Sequence, residues 1–226
     1  YRLDARGGQV ALLFPASGEV TWHDADTFEQ TGMASIGPGA EDVALAADGS
    51  AVVVRDGAMV RVTPGDEKRA VLHDGLQAGS RVAVDRKTGQ IFVSELGDVQ
   101  QIHRFSAAGK HQATFGRKGG RETGQYVPTD FLAVADIDGA GDGGFIITEA
   151  KSAPRRTAIF NSKGQLVREW YGGQRFYTFG DPDPENANRF WIMSQWGWGM
   201  EIEIDYDTGD WRRLARDRWV QMLDGR

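Results

Sequence analysis

Three carboxylates in DIDGAGDGG, Asp136, Asp138 and Asp142, fall at the spacing of oxygen ligands in a calcium loop. Calcium takes about six to eight oxygens, which such loops supply from alternating positions. Ala140 and Gly144 leave two of those positions without a side-chain oxygen. An inter-strand turn rich in Asp and Gly explains the segment without a metal, so no cofactor is expected and calcium is the alternative. The histidines, His23, His73, His103 and His111, make no sequence pair with another ligand at metal spacing. His23 and His103 fall on late strands of their repeats, where packing or exposure is expected.

Other chemistry is sparse. Cysteine is absent and no Gly-x-Ser-x-Gly element occurs, which removes the common nucleophile signatures. Pairs such as Glu201/Glu203 and Asp181/Asp183 read as solvated surface. No residue is assigned a catalytic role. The cluster RKGGR offers Arg117, Lys118 and Arg121 beside glycine N–H groups, a composition that suits an anion. With Tyr126, Arg155 and Arg156 it would gather a basic, aromatic rim on one surface. Against that, 26 basic and 32 acidic residues give a net charge of -6, which disfavours nucleic acid.

Aromatic residues crowd the C-terminal third, where Trp191, Trp196, Trp198, Trp211 and Trp219 all lie beyond residue 190. Planar rings suit sugar faces and apolar partners, although inter-sheet packing also consumes them. Trp196 and Trp198, flanked by glycine in QWGWG, are the pair expected to be exposed. The segment MEIEIDYDTGDW reads as a hairpin turning at Thr208-Gly209. Tyr206 would then oppose Trp211 and Asp205 would oppose Arg212, which makes Trp211 and the acids structural.

The elements that must position these residues are strands. The chain has 226 residues, enough for a domain with a substantial core, and 30 glycines, which favour turns over helices. No apolar run is long enough to span a membrane, so no membrane insertion is expected. The sequence opens at Tyr1 without a signal-peptide pattern, as a mature, trimmed or fragmentary chain would, and an extracellular or periplasmic setting is favoured. A unit of apolar strand, Asp/Gly turn, β-rich strand, polar gap, strand and glycine turn recurs from Val43, Val82 and Val134, and more loosely from Arg189. Its late glycines, Gly65, Gly109, Gly164 and Gly209, are spaced 44, 55 and 45 residues apart. An earlier unit spans Val10 to Gly32. The expectation is an all-β propeller of four-stranded antiparallel blades in one domain, with blades near 1–37, 38–78, 79–115, 116–172 and 173–219. VVV (52–54) and FII (145–147) are apolar throughout, as central strands covered on both faces should be.

From Phe115 to Trp170 the chain resembles an NHL repeat. The resemblance rests on Phe115-Gly116, Gly119-Gly120, Pro128, Asp138-Gly139 as the turn, Thr148, and Phe160 to Gly164. The preceding unit matches at Asp85, Gly89, Val93, Phe105 and Gly109, and the likeness extends over roughly residues 40–170. That family forms six-bladed propellers more often than not, which implies a missing blade here, with the ring completed by sequence outside this chain, by a different blade number or by poorly matching termini. The tail DRWVQMLDGR reads as the start of a further strand. The resulting expectation is a non-catalytic binding module for a protein or glycan partner. The alternative is a metal-dependent propeller enzyme of the NHL lyase type, which uses histidines around a central channel, or of the lactonase-like type, whose acidic and asparagine ligands have no match here.

Overall fold

The three valines of AVVVR point alternately into two different cores. In the computed structural model Val53 packs in one cluster with Leu13, Trp22 and Leu45, while Val52 and Val54 pack in another with Val84, Ile91 and Val93. Side chains alternate along a strand, so an unbroken run of valine needs apolar partners on both faces. The chain supplies them by placing one sheet in front of the strand and one behind. The structure describes all residues except 67–68, 78, 123–125, 151–154, 172–176, 184–185, 195–198, 209 and 217–226.

The described residues form five four-stranded antiparallel sheets and no helix. The first holds β1 (Arg2–Arg6), β2 (Gln9–Phe14), β3 (Glu19–Asp24) and β4 (Gln30–Ser35). The second holds β5 (Ala40–Leu45), β6 (Ala51–Arg55), β7 (Ala58–Val62) and β8 (Ala70–His73). The third holds β9 (Arg81–Val84), β10 (Ile91–Glu95), β11 (Gln101–Phe105) and β12 (His111–Phe115). The fourth holds β13 (Val134–Gly139), β14 (Phe145–Glu149), β15 (Arg156–Phe160) and β16 (Leu166–Tyr171). The fifth holds β17 (Tyr177–Asp183), β18 (Asn186–Ser194), β19 (Gly199–Ile204) and β20 (Trp211–Arg216). Each is a simple meander.

Two compact units are present. One comprises Tyr1–Lys151 and Arg156–Trp170, the other Ser152–Arg155 and Tyr171–Arg226. In the first unit, the leading strands pack in sequence, β1 on β5, β5 on β9 and β9 on β13. Carboxylates tie each sheet to the next. Asp4 Oδ2 accepts the Leu45 N–H at 2.7 Å, Asp42 Oδ2 accepts Val82 N–H at 2.9 Å, and Asp85 Oδ2 accepts Gly141 N–H at 2.6 Å. Burial pushes the Asp42 carboxyl up to about 6, against the opposing pull of the Val82 N–H and Arg81.

Glycine turns close the third hairpin of successive sheets at Gly65, Gly109 and Gly164, all with positive φ. Asp138-Gly139, expected to be the turn before the central strand, instead lies within β13, opposite Ile146 and Phe145. The chain reverses later, where Ala140 N–H donates to Gly144 O and the Asp142 carboxylate accepts Gly144 N–H. Gly139 has a different reason to be glycine. A Cβ there would lie 2.5 Å from the Asp85 Cα, so a side chain would push the third and fourth sheets apart.

Candidate ligand-binding site

The fifth sheet carries an aromatic groove that the expected hairpin register concealed. Asp205 Oδ1 accepts the N–H groups of Asp207 and Thr208, and Thr208 Oγ1 accepts that of Asp210. Asp205 N–H then donates to Asp210 O at 2.8 Å, closing a longer loop than the expected two-residue turn. Consequently Trp211 opposes Ile204, not Tyr206, and Arg212 opposes Glu203, not Asp205. The slip is two residues, so each side chain keeps its face. The expected opposite-charge pair exists with a different acid, since Arg212 Nε donates to Glu203 Oε2 at 2.6 Å.

The same loop occurs twice earlier. Asp24 Oδ1 accepts Asp26 and Thr27 N–H, with Asp24 N–H on Glu29 O. Asp85 Oδ1 accepts Lys87 and Thr88 N–H, with Asp85 N–H on Gln90 O. The shared pattern is Asp-x-x-Thr, in DADT, DRKT and DYDT. An aspartate that caps two successive N–H groups sets the loop length, and this signal would have fixed the register from sequence.

The indole of Trp211 is presented to solvent. Trp211 is 66% exposed, contrary to its expected structural role. It borders a groove of about 390 Å³ lined by Asn188, Glu203, Ile204, Asp205, Asp210 and Arg212. Arg212, and then Arg189 at 3.6 Å, hold the Glu203 carboxyl below its ordinary range. The Asp207 and Thr208 N–H groups do the same for Asp205. At neutral pH the groove therefore offers carboxylate acceptors, guanidinium and amide donors, and one flat apolar face. Glu201, expected on the solvated surface, is buried.

The other sequence-derived sites are placed differently. Trp196 and Trp198 lie outside the described residues, as do Trp219 and the tail. Asp136 and Asp138 stand on β13, each with Oδ1 on the following N–H, and burial pushes both carboxyls up. Asp142 sits in the turn beyond, so the three do not converge as a calcium loop. Among the described residues no three His, Asp or Glu side chains form a set able to hold a metal.

Both arginines of the basic cluster are ion-paired. Arg117 contacts Glu122 at 2.7 Å and Asp130 at 3.0 Å, and Arg121 contacts Glu149 at 2.8 Å. The N–H groups of Gly119, Gly120 and Arg121 donate to the carbonyls of Val99, Arg117 and Phe131. Lys118 is exposed. Arg156 is fully buried against Glu149, and its Nη1 lies 2.8 Å from Glu169 Oε2. Its guanidinium also stands over the Tyr126 ring, 5.5 Å from the centroid.

Three histidines gather where sequence spacing gave no hint. His103 Nε2 lies 2.8 Å from Glu95 Oε2, and its Nδ1 lies 3.1 Å from Thr114 Oγ1. His111 Nε2 reaches the same hydroxyl at 3.0 Å, and the His73 ring packs 4.8 Å from Phe105. Burial holds the His103 imidazole below its ordinary range despite the attraction of Glu95. His73 ends the second sheet and the others belong to the third, so their meeting is a property of sheet packing.

No known family pattern matches the chain, and no curated protein does. Solved structures do. The hydrazine synthase of Kuenenia stuttgartiensis superposes with a TM-score of 0.61 at 14% identity, covering 94% of this chain and 65% of that one. A protein of unknown function from Bacteroides caccae gives 0.59 at 12% identity, over 92% and 72% of the two chains. The WD40 beta propeller domain of Doa1 gives 0.57 at 14% identity, over 95% and 67%. The chain thus spans about 65% of the length of the first of these. Identities this low speak to fold, not to activity. Together with the five meandering sheets, they identify the chain as an all-β protein of β-propeller fold.

Proposed function

We propose that this propeller is a recognition module for a glycan, built on NHL-type repeats, with the Trp211 groove as its binding site. The observation that carries the reading is the exposed indole beside Asn188, Glu203, Asp205, Asp210 and Arg212. A sugar ring has an apolar C–H face and an equatorial belt of hydroxyls. The indole suits the first, and fixed carboxylate, amide and guanidinium groups suit the second. The hairpin positions these groups before any ligand arrives, because Asp205 and the Glu203–Arg212 pair are already held by neighbours, and preorganisation lowers the cost of binding. The same reading extends to Trp196 and Trp198, which precede β19 in the chain.

The test is a glycan array followed by titration calorimetry on the best ligand, with wild-type protein and Trp211→Ala. Because the ring is largely exposed, its removal should leave the fold intact. The expected result is at least tenfold weaker binding by Trp211→Ala, with comparable losses for Trp196→Ala and Trp198→Ala. Unchanged affinity in Trp211→Ala, or an array without any bound glycan, would overturn the assignment. Capture of a protein partner through the same ring would replace the glycan with a polypeptide.

A further inference from the structure

The first unit contains a second groove, of about 500 Å³, where the hairpin turns of the third and fourth sheets meet. Thr88, Gln90, Arg104, Gln112, Asp142 and Ser162 line it. Its walls are hydroxyls, amides, one carboxylate and one guanidinium.

Arg104 is held in place from several directions. Its Nη1 donates to Gly143 O at 3.0 Å and to Ser162 O at 2.8 Å, bridging from the third sheet to two turns of the fourth. The guanidinium carbon stands 5.5 Å from the Phe115 ring centroid. Neutral carbonyls and a ring orient the cation without compensating its charge. Among the described residues no carboxylate lies within ion-pair distance of Arg104, and its Nε is buried without a hydrogen-bond partner. Arg117, Arg121, Arg156 and Arg212 each face an acid. The accessible donors are those of Nη2, which bonds to no described residue while Nη1 is taken by the two carbonyls, and a fixed, part-buried guanidinium of this kind recognises a ligand carboxylate because a charge-assisted pair formed there costs little reorganisation.

The remaining groups suit hydroxyls. Gln90 Nε2 donates to Gln112 Oε1 at 2.9 Å, which fixes both amides and leaves the Gln112 NH2 free to donate. Asp142 gives Oδ1 to the Gly144 N–H and keeps Oδ2 as an acceptor. Asp142 repels a second negative charge, so the ligand carboxylate must sit on the Arg104 side and a hydroxyl on the Asp142 side. We propose that this groove is a ligand site for a hexuronate unit, its carboxylate on Arg104 and its ring hydroxyls on Gln112, Asp142 and Ser162. This assignment is independent of the Trp211 groove.

Titration calorimetry with digalacturonate, free galacturonate and neutral digalactose tests it, on wild-type protein, Arg104→Gln and Gln112→Ala. Digalacturonate should bind in preference to digalactose, should weaken at higher salt, and should lose at least tenfold affinity in Arg104→Gln. Binding by free galacturonate would show that one unit suffices, and binding by the dimer alone would show that the site reads a chain. Gln112→Ala touches no inter-sheet bond, so it answers the question should Arg104→Gln fail to fold; an affinity loss of several-fold is expected there. Equal binding of digalactose, absence of digalacturonate binding at millimolar concentration, or unchanged affinity in the variants would each overturn the proposal. So would a dipeptide such as glycylglycine binding as tightly as digalacturonate, since its carboxylate lacks the hydroxyls.

Discussion

Phe28 occupies the left-handed backbone position that Gly89 holds in the matching loop of the third sheet, with φ of 59° against 69°. Both loops are built by an Asp-x-x-Thr cap, and both residues send their N–H to the carbonyl of the capping aspartate. The cap, not the residue at the fifth position, therefore determines the geometry. Left-handed backbone costs a side-chain-bearing residue roughly 1–2 kcal/mol. Phe28 is 64% exposed, so its ring returns little packing.

Phe28→Gly should accordingly stabilise the protein by roughly 0.5–1 kcal/mol, the relief being offset in part by the greater freedom of glycine in the unfolded chain. Urea unfolding measures this directly. Phe28→Ala keeps the strained φ and should give no gain. A glycine variant less stable than wild type would show that the ring packs more than its exposure indicates.

Asp42 makes stability depend on pH. Its carboxyl rises from 3.8 to about 6 in the folded protein through burial, with Arg81 and the Val82 N–H opposing the rise and Asp136 adding to it. An acid whose folded value is raised holds its proton more tightly when folded. Its stabilising contribution is complete below about pH 4 and is lost as pH climbs through about 6, up to about 3 kcal/mol. Asp42→Asn keeps an oxygen for the Val82 N–H and never ionises. It should be more stable than wild type at pH 8, with the difference fading between pH 6 and pH 4. A stability difference independent of pH across that window would remove Asp42 as its source.

The parts of this architecture that were legible in sequence are those governed by strand periodicity. Ile91 and Val93 do face the second sheet, and Phe92 the fourth, as alternation along IFVSE requires. The turn registers were harder, because a single side-chain oxygen decides them. The Asp205 cap moved Trp211 from Tyr206 to Ile204, and the turn capped by Asp142 left Asp138-Gly139 within a strand. The gathering of His73, His103 and His111 depends on contacts between sheets, which spacing along one chain does not encode. The aromatic site was half legible. Crowding of tryptophan marked the region, but Trp211 stands on the edge strand of its sheet, where exposure depends on what packs beside it and not on spacing along the chain.

Glu149 separates two arginines that look interchangeable in RKGGR. Arg121 donates to it at 2.8 Å, and Arg156 and the Leu132 N–H bind it as well, all with the carboxylate fully buried. Removing one partner from such a set leaves buried charge without compensation, which typically costs about 3–5 kcal/mol. Glu149→Gln keeps the shape and removes the charge, so it should lower stability by an amount in that range, moderated by Glu169 on Arg156. Arg117 shares its charge with Glu122, which is 77% exposed. Glu122→Gln should leave the melting temperature unchanged, because solvent already screens that pair. Thermal unfolding of the two variants side by side distinguishes the roles. Equal, small effects would mean that the Glu149 set is hydrated in solution and does not lock the fourth sheet.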